Sequence, residues 1–163
     1  MVPEIKKILY ATDLSESARH AFLYAADLAQ RYDAMITIVY VMENLNHTVE
    51  LQIREMMGQK QWEQLQSEKQ DYLANKIKSK IEDFCKEMQS HIDSCPYLVE
   101  DIRITNGNPT EEILDTSKKI KADMIVLGTY GYNMLQGSLI GGTARKVVKS
   151  SEVPVLVVRL PKE

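Results

Sequence analysis

"IKKILYATDLSESARHAFLYAADLAQ", residues 5–30, holds the pattern that decides the fold. Ile5 to Thr12 ends in a short apolar run of β formers. "DLSES" then supplies Asp and Ser, residue types that open helices because their side chains accept backbone N–H bonds. A strand therefore runs straight into a helix. In that helix Ala18, Ala21, Phe22, Ala25 and Ala29 recur at three- and four-residue steps, leaving Arg19, Asp27 and Gln30 for water. Such small side chains permit close packing on a sheet.

The same alternation continues outward. "AMITIVYV", Ala34 to Val41, is apolar at nearly every position, as a parallel strand buried on both faces requires. "YLVEDIRIT", Tyr97 to Thr105, alternates as a less buried strand, and "NGNPTEEIL" gives a turn with Pro109 near the start of the next helix. "ADMIVLG" is a buried strand ending at Gly128, Thr143 to Ser151 reads as a short helix, and "VPVLVVRL" closes the chain as a fifth strand. Parallel neighbours need crossover connections, so five strands alternating with helices predict an α/β fold. The expected architecture is a doubly wound, five-stranded parallel sheet with helices on both faces. One domain over residues 1–163 suffices, with 44% hydrophobic residues for its core.

The crossover between the second and third strands is long. From Thr48 to Ile92 the chain is polar and Gln-rich, with one glycine, Gly58, and no proline, so a helical crossover over about 48–92 is expected. Leu65, Leu73, Ile77, Ile81, Phe84 and Met88 fall on helical spacing, which predicts an amphipathic helix over the sheet after about Trp62. The stretch from Val49 to Gln61 exceeds what a crossover needs and reads as a flap or a partner surface.

Composition removes several function classes. Twenty Lys and Arg against 23 Asp and Glu give a net charge of −3, with no basic block, so a nucleic-acid partner is not expected. Apolar runs such as "MIVLG" and "VPVLVV" are too short to cross a bilayer, and "MVPEIKKILYATD" lacks the apolar core of a signal peptide. The expectation is a soluble, cytoplasmic protein with no membrane partner. Cys85 and Cys95 fit no metal or redox spacing and read as reduced thiols. His20, His47 and His91 are scattered, and no metal-ligand set is assigned.

Five of the seven glycines fall between Gly128 and Gly142. Glycine is conformationally costly and is kept where a backbone turns sharply or lets something approach. In doubly wound sheets ligands bind beyond the carboxyl ends of the strands, where strand order reverses. Two junctions there carry suggestive chemistry: Thr12 and Asp13 after the first strand, and the glycine segment after the fourth. No Walker A motif and no Gly-x-Gly-x-x-Gly are present. The spacing is Gly128-x2-Gly131-x9-Gly141-Gly142-Thr143, whose last glycines directly precede a helix. Exposed amides at a helix start form an anion site suited to phosphate.

On these residues the sequence resembles the universal stress protein family across nearly the whole chain. The features carrying the resemblance are "KILYATDLSESA", "NGNPTEEIL", "ADMIVLGTYG", the Gly-x2-Gly-x9-Gly spacing and the terminal "VPVLVV". The resemblance implies strand order 3-2-1-4-5, which sets strands one and four side by side. It also implies ATP binding, because that spacing marks the family's ATP-binding branch. Carried over by position, Thr12 and Asp13 would line the adenosine end, and the backbone at Val41 would meet the adenine edge. Gly128, Gly131, Gly141 and Gly142 would bracket the ribose and phosphates, with Thr143 at the helix start. Two departures stand out. Gly142 occupies the position where the family usually has Ser or Thr, and Tyr130 stands where a basic residue is common.

Two charged residues have competing readings. Asp13 is either a helix cap or a ligand contact, and its place beside the crevice favours contact, including approach to a Mg²⁺ ion accompanying ATP. Arg145 either reaches a phosphate, replacing the lost hydroxyl at 142, or points into solvent. The leading expectation is a stress-related regulatory protein that binds ATP, at most a weak ATPase, because no general base or Walker lysine is identifiable and no catalytic residue is assigned. The alternative is a dimeric interaction module that has lost nucleotide binding. An ATP pyrophosphatase is disfavoured, since "YATDLS" does not resemble the Ser-Gly-Gly loop known in those enzymes. A homodimer joined through Val155 and Val157 of the last strand is expected, because a bare apolar edge invites pairing.

Overall fold

The computed structural model describes residues 2–43, 46–87, 95–129 and 140–161. In chain order they form β1 (Lys7–Ala11), α1 (Glu16–Tyr32), β2 (Met35–Met42), α2 (His47–Met57), α3 (Gln59–Glu87), a 3-10 turn (Cys95–Leu98), β3 (Val99–Asn106), α4 (Pro109–Ile120), β4 (Met124–Gly128), α5 (Gly142–Ser150) and β5 (Val155–Val158). All neighbouring strands are parallel, in the order β3-β2-β1-β4-β5. The expected doubly wound α/β sheet is thus observed, with β1 at its centre: Ile8 lies opposite Ile36 of β2 and Met124 of β4.

Successive side chains on a strand point to opposite faces, and β1 shows how this sorts the core. Ile8 and Tyr10 join Phe22, Ala25 and Ala29 of α1 and Ile77 and Ile81 of α3 on one face. Leu9 and Ala11 join Ile113 and Ile120 of α4 and Val147 of α5 on the other. Helices therefore cover both faces. The alanine stripe of α1 is fully buried, which accounts for small residues at those steps.

Local chemistry fixes where the helices begin. Ser15 caps α1, its hydroxyl accepting the Ala18 N–H at 3.2 Å. Asn108 caps α4 by accepting the Glu111 N–H, and Pro109, which has no N–H to waste, stands in the first turn. Gly58 divides the long crossover, because its φ of +86° is a conformation that side chains resist.

The 49–61 stretch, read from sequence as a flap or partner surface, is α2 and the start of α3. No residue of α2 is buried. It is held to α3 by Arg54, which pairs with Glu50 at 3.1 Å and lies over the buried Trp62 ring at 5.4 Å. Beyond it, α3 turns Leu73, Ile77, Ile81 and Cys85 inward at four-residue steps, whereas Leu65 stays exposed. Cys85 is disulfide-bonded, so the reading of reduced thiols is corrected; Cys95 is the sequence's other cysteine. Spacing along the chain gave no sign of this, because it is the fold that packs the Cys95–Leu98 turn against α3.

Candidate functional site

Strand order reverses between β1 and β4, and a cleft of about 640 Å³ opens there beyond the carboxyl ends of the strands. Each element contributes its end. Ala11, Thr12 and Asp13 follow β1; Tyr40, Val41 and Glu43 come from the exit of β2; Leu127, Gly128 and Thr129 leave β4. Asn108, Pro109 and Thr110 open α4, and Gly141, Gly142, Thr143, Ala144 and Lys146 open α5. Two helix N-termini thus converge on one space, and each brings partial positive charge from amides with no intrahelical partner.

The β1–α1 junction is a tight turn. Thr12 extends the sheet through its N–H to the Val39 carbonyl at 3.0 Å, and its hydroxyl accepts the Leu14 N–H at 3.0 Å. Leu14 is left-handed at φ 65°, an uncommon conformation for a residue with a side chain. One Asp13 carboxylate oxygen accepts the Ser15 N–H at 2.9 Å. Since Ser15 holds the capping position, Asp13 is not the cap; it stands before the helix as an exposed carboxylate on the cleft wall. Beneath it, burial pushes the Tyr10 phenol upward; a hydrogen bond with Thr12 pulls the other way, and the Asp13 charge adds to the rise. Tyr10 therefore stays neutral and donates to the Ala18 carbonyl at 2.5 Å.

The two ends of the glycine segment have different jobs. A Cβ at Gly128 would sit 2.4 Å from the Ser17 hydroxyl and 2.7 Å from the Ser17 carbonyl carbon, so glycine there lets α1 close against β4. A Cβ at Gly142 would meet nothing within 4 Å, so its absence leaves open space in front of α5. Helix α5 has neither a side-chain cap nor an acidic residue in its first turn. Gly141 is anchored instead, its N–H bonded to the Thr129 carbonyl.

Of the residues singled out from sequence, Thr12, Asp13, Val41, Gly128, Gly141, Gly142 and Thr143 meet in this cleft. Gly131 and Tyr130 lie outside the described residues. Arg145 is exposed and is not on the cleft wall; its neighbour Lys146 is. Sequence reasoning also passed over Glu43, Thr110 and Thr129. Thr129 is only 1% exposed, and its hydroxyl has no hydrogen-bond partner among the described residues. Its position inside "GTYG" was the available signal. Among the described residues, no group of three or more His, Cys, Asp or Glu comes together to hold a metal, and no helix is long and apolar enough to cross a membrane.

Comparison with known proteins agrees with this architecture. The sequence model of the Universal stress protein family matches residues 4–159. Universal stress protein MJ0531 of Methanocaldococcus jannaschii is 30% identical over 164 aligned positions, covering 97% of this chain and 84% of that protein. The solved structure of MJ0577, from the same organism, superposes with a TM-score of 0.69 at 28% identity and covers 99% of this chain and 100% of that one. UspA of Lactobacillus plantarum shares the fold at a TM-score of 0.74 and 24% identity, covering 97% of this chain and 100% of its own.

Proposed function

The chain belongs to the universal stress protein family, and from that premise we propose that it is a regulatory protein that binds ATP in the cleft between β1 and β4. The observation that carries this reading is the meeting of Thr12, Asp13, Val41, Gly141, Gly142 and Thr143 around one cleft. Their chemistry suits the parts of a nucleotide. The uncapped start of α5 offers amide donors and dipole to phosphate, with Gly142 leaving room for close approach. Asp13 offers a carboxylate to ribose hydroxyls or to a Mg²⁺ ion carried on the phosphates. Val41 offers backbone groups at the far wall, where a base edge would lie.

Binding rather than turnover is the proposed role. The Asp13 carboxylate, which hydrolysis would need free to position a water, is already tied to the Ser15 N–H. Hydrolysis is accordingly slow or absent. The protein acts in the cytoplasm as a homodimer joined along β5, and nucleotide occupancy is what a protein partner reads.

Calorimetric titration with ATP and Mg²⁺ tests the reading. The unaltered chain is expected to bind, and Asp13→Ala and Gly141→Val to weaken binding at least tenfold, roughly the loss of one charge-assisted hydrogen bond or of close phosphate approach. Absence of binding, with no nucleotide released on denaturation, would favour a dimeric interaction module whose exposed α2 carries the contacts.

A further inference from the structure

We infer that Lys146 is the phosphate-sensing residue of the cleft, the group that makes it prefer adenine nucleotides carrying a phosphate chain over the bare nucleoside. This deepens the ATP reading and rests on it. The charged side chains described on the cleft wall are Asp13, Glu43 and Lys146. Lys146 is therefore the single cation among them, facing two carboxylates that would repel a polyphosphate. It forms no ion pair among the described residues.

Helix geometry gives it reach. Side chains on a helix lean toward the N-terminus, so a residue covers the turn before its own Cα. Lys146 lies four residues after Gly142 and three after Thr143, hence on their side of α5. Gly142 has no Cβ, and the space in front of it is empty to 4 Å. A flexible four-carbon stem can thus lie forward across Gly142 and bring its ammonium to the uncapped helix start. Arg145 and Lys146 are both exposed, and of the two only Lys146 lines the cleft.

A further observation points to an anion there: among the described residues the Thr129 hydroxyl is buried on the same wall without a partner, although its backbone N–H and carbonyl are both bonded. A buried hydroxyl left unanswered is costly, and a bound phosphate oxygen would accept its proton. Lys146 then supplies what the missing Ser or Thr at 142 does not: a third donor, beside the amides and Thr129, that responds to charge.

The test is titration of the unaltered chain, Lys146→Met and Lys149→Met with ATP, ADP and adenosine. Lys149 lies on the same helix but not on the cleft wall, and it controls for overall charge. Lys146→Met is expected to weaken ATP and ADP by about tenfold, as loss of a charge-assisted contact does, with adenosine affinity and thermal unfolding unchanged. Equal losses in the two variants, a parallel loss for adenosine, or undiminished ATP binding by Lys146→Met would each overturn the assignment while leaving the nucleotide reading standing. Failure of the unaltered chain to bind any of the three would overturn both.

Discussion

At Thr129 a buried hydroxyl goes without a partner among the described residues, and a single substitution can ask why. Valine has nearly the same shape, so Thr129→Val removes the unsatisfied group without opening a cavity. In the absence of nucleotide the variant should be more stable by about 1 kcal/mol, because burying an unanswered hydroxyl costs at least that much. With saturating ATP the advantage should shrink or reverse, since the hydroxyl is then missed by the ligand. Chemical unfolding with and without ATP measures both terms; a variant that is destabilised without ligand would show that the hydroxyl serves the fold. At this scale the sequence was legible wherever spacing alone carries the message. Gly141, Gly142 and Thr143 could be placed at a helix start because the glycines adjoin an amphipathic run. Arg145 and Lys146 could not be told apart, because adjacent residues on a helix differ by its phase against the cleft, which only packing sets. The reason for Gly128 was hidden in the same way. Its clash is with Ser17, 111 residues earlier in the chain.

The elements were read more reliably than their junctions. The five strands, α1 and the later part of α3 were announced by their period, whereas α2 lies in a stretch read only as a flap or partner surface. The exceptions arose where the chain leaves that period: α3 buries Trp62 rather than Leu65 on its first turns, and Cys85 is bonded although nothing in cysteine spacing asked for it. The junction of β1 with α1 gives an element-scale prediction. Tyr10 in β1 spans the sheet-to-helix contact by donating to the Ala18 carbonyl, and burial raises its phenol above the ordinary value of 10.0. A raised folded value means that the contribution is fully present below the unfolded value and is lost as pH rises beyond it. Urea unfolding midpoints should therefore hold to about pH 10 and fall as the pH climbs further. Tyr10→Phe should start about 1 kcal/mol lower from the lost bond, and its midpoint should decline less steeply in alkali. Parallel alkaline declines for the two proteins would assign the effect to other groups.

For the whole molecule, the question is what the sheet does at its open end. Strand order leaves β5 with one neighbour, β4, and the ladder between them shows how its backbone is aimed. Ile125 donates to the Pro154 carbonyl at 3.0 Å and Thr129 to the Val158 carbonyl at 3.1 Å. Backbone groups alternate sides along a strand, so Pro154, Leu156 and Val158 face β4 while the N–H and C=O groups of Val155 and Val157 face outward. Their side chains are half-buried beneath the helices, which leaves an apolar strand whose outward donors and acceptors have no neighbouring strand in the described sheet. The sequence could mark "VPVLVV" as an edge only through the strand order that the family resemblance implied; which residues offer the edge follows from register. Val157→Pro should then separate the proposed dimer without unfolding the subunit. Proline removes the outward N–H and fixes φ near the strand range, but it takes nothing from the ladder to β4. The expected result is a monomer by sedimentation or light scattering, with thermal stability close to that of the unaltered chain at concentrations where that chain is itself dissociated. A proline variant that stays dimeric would put the contact elsewhere, with the exposed apolar residues of α2 the next surface to alter.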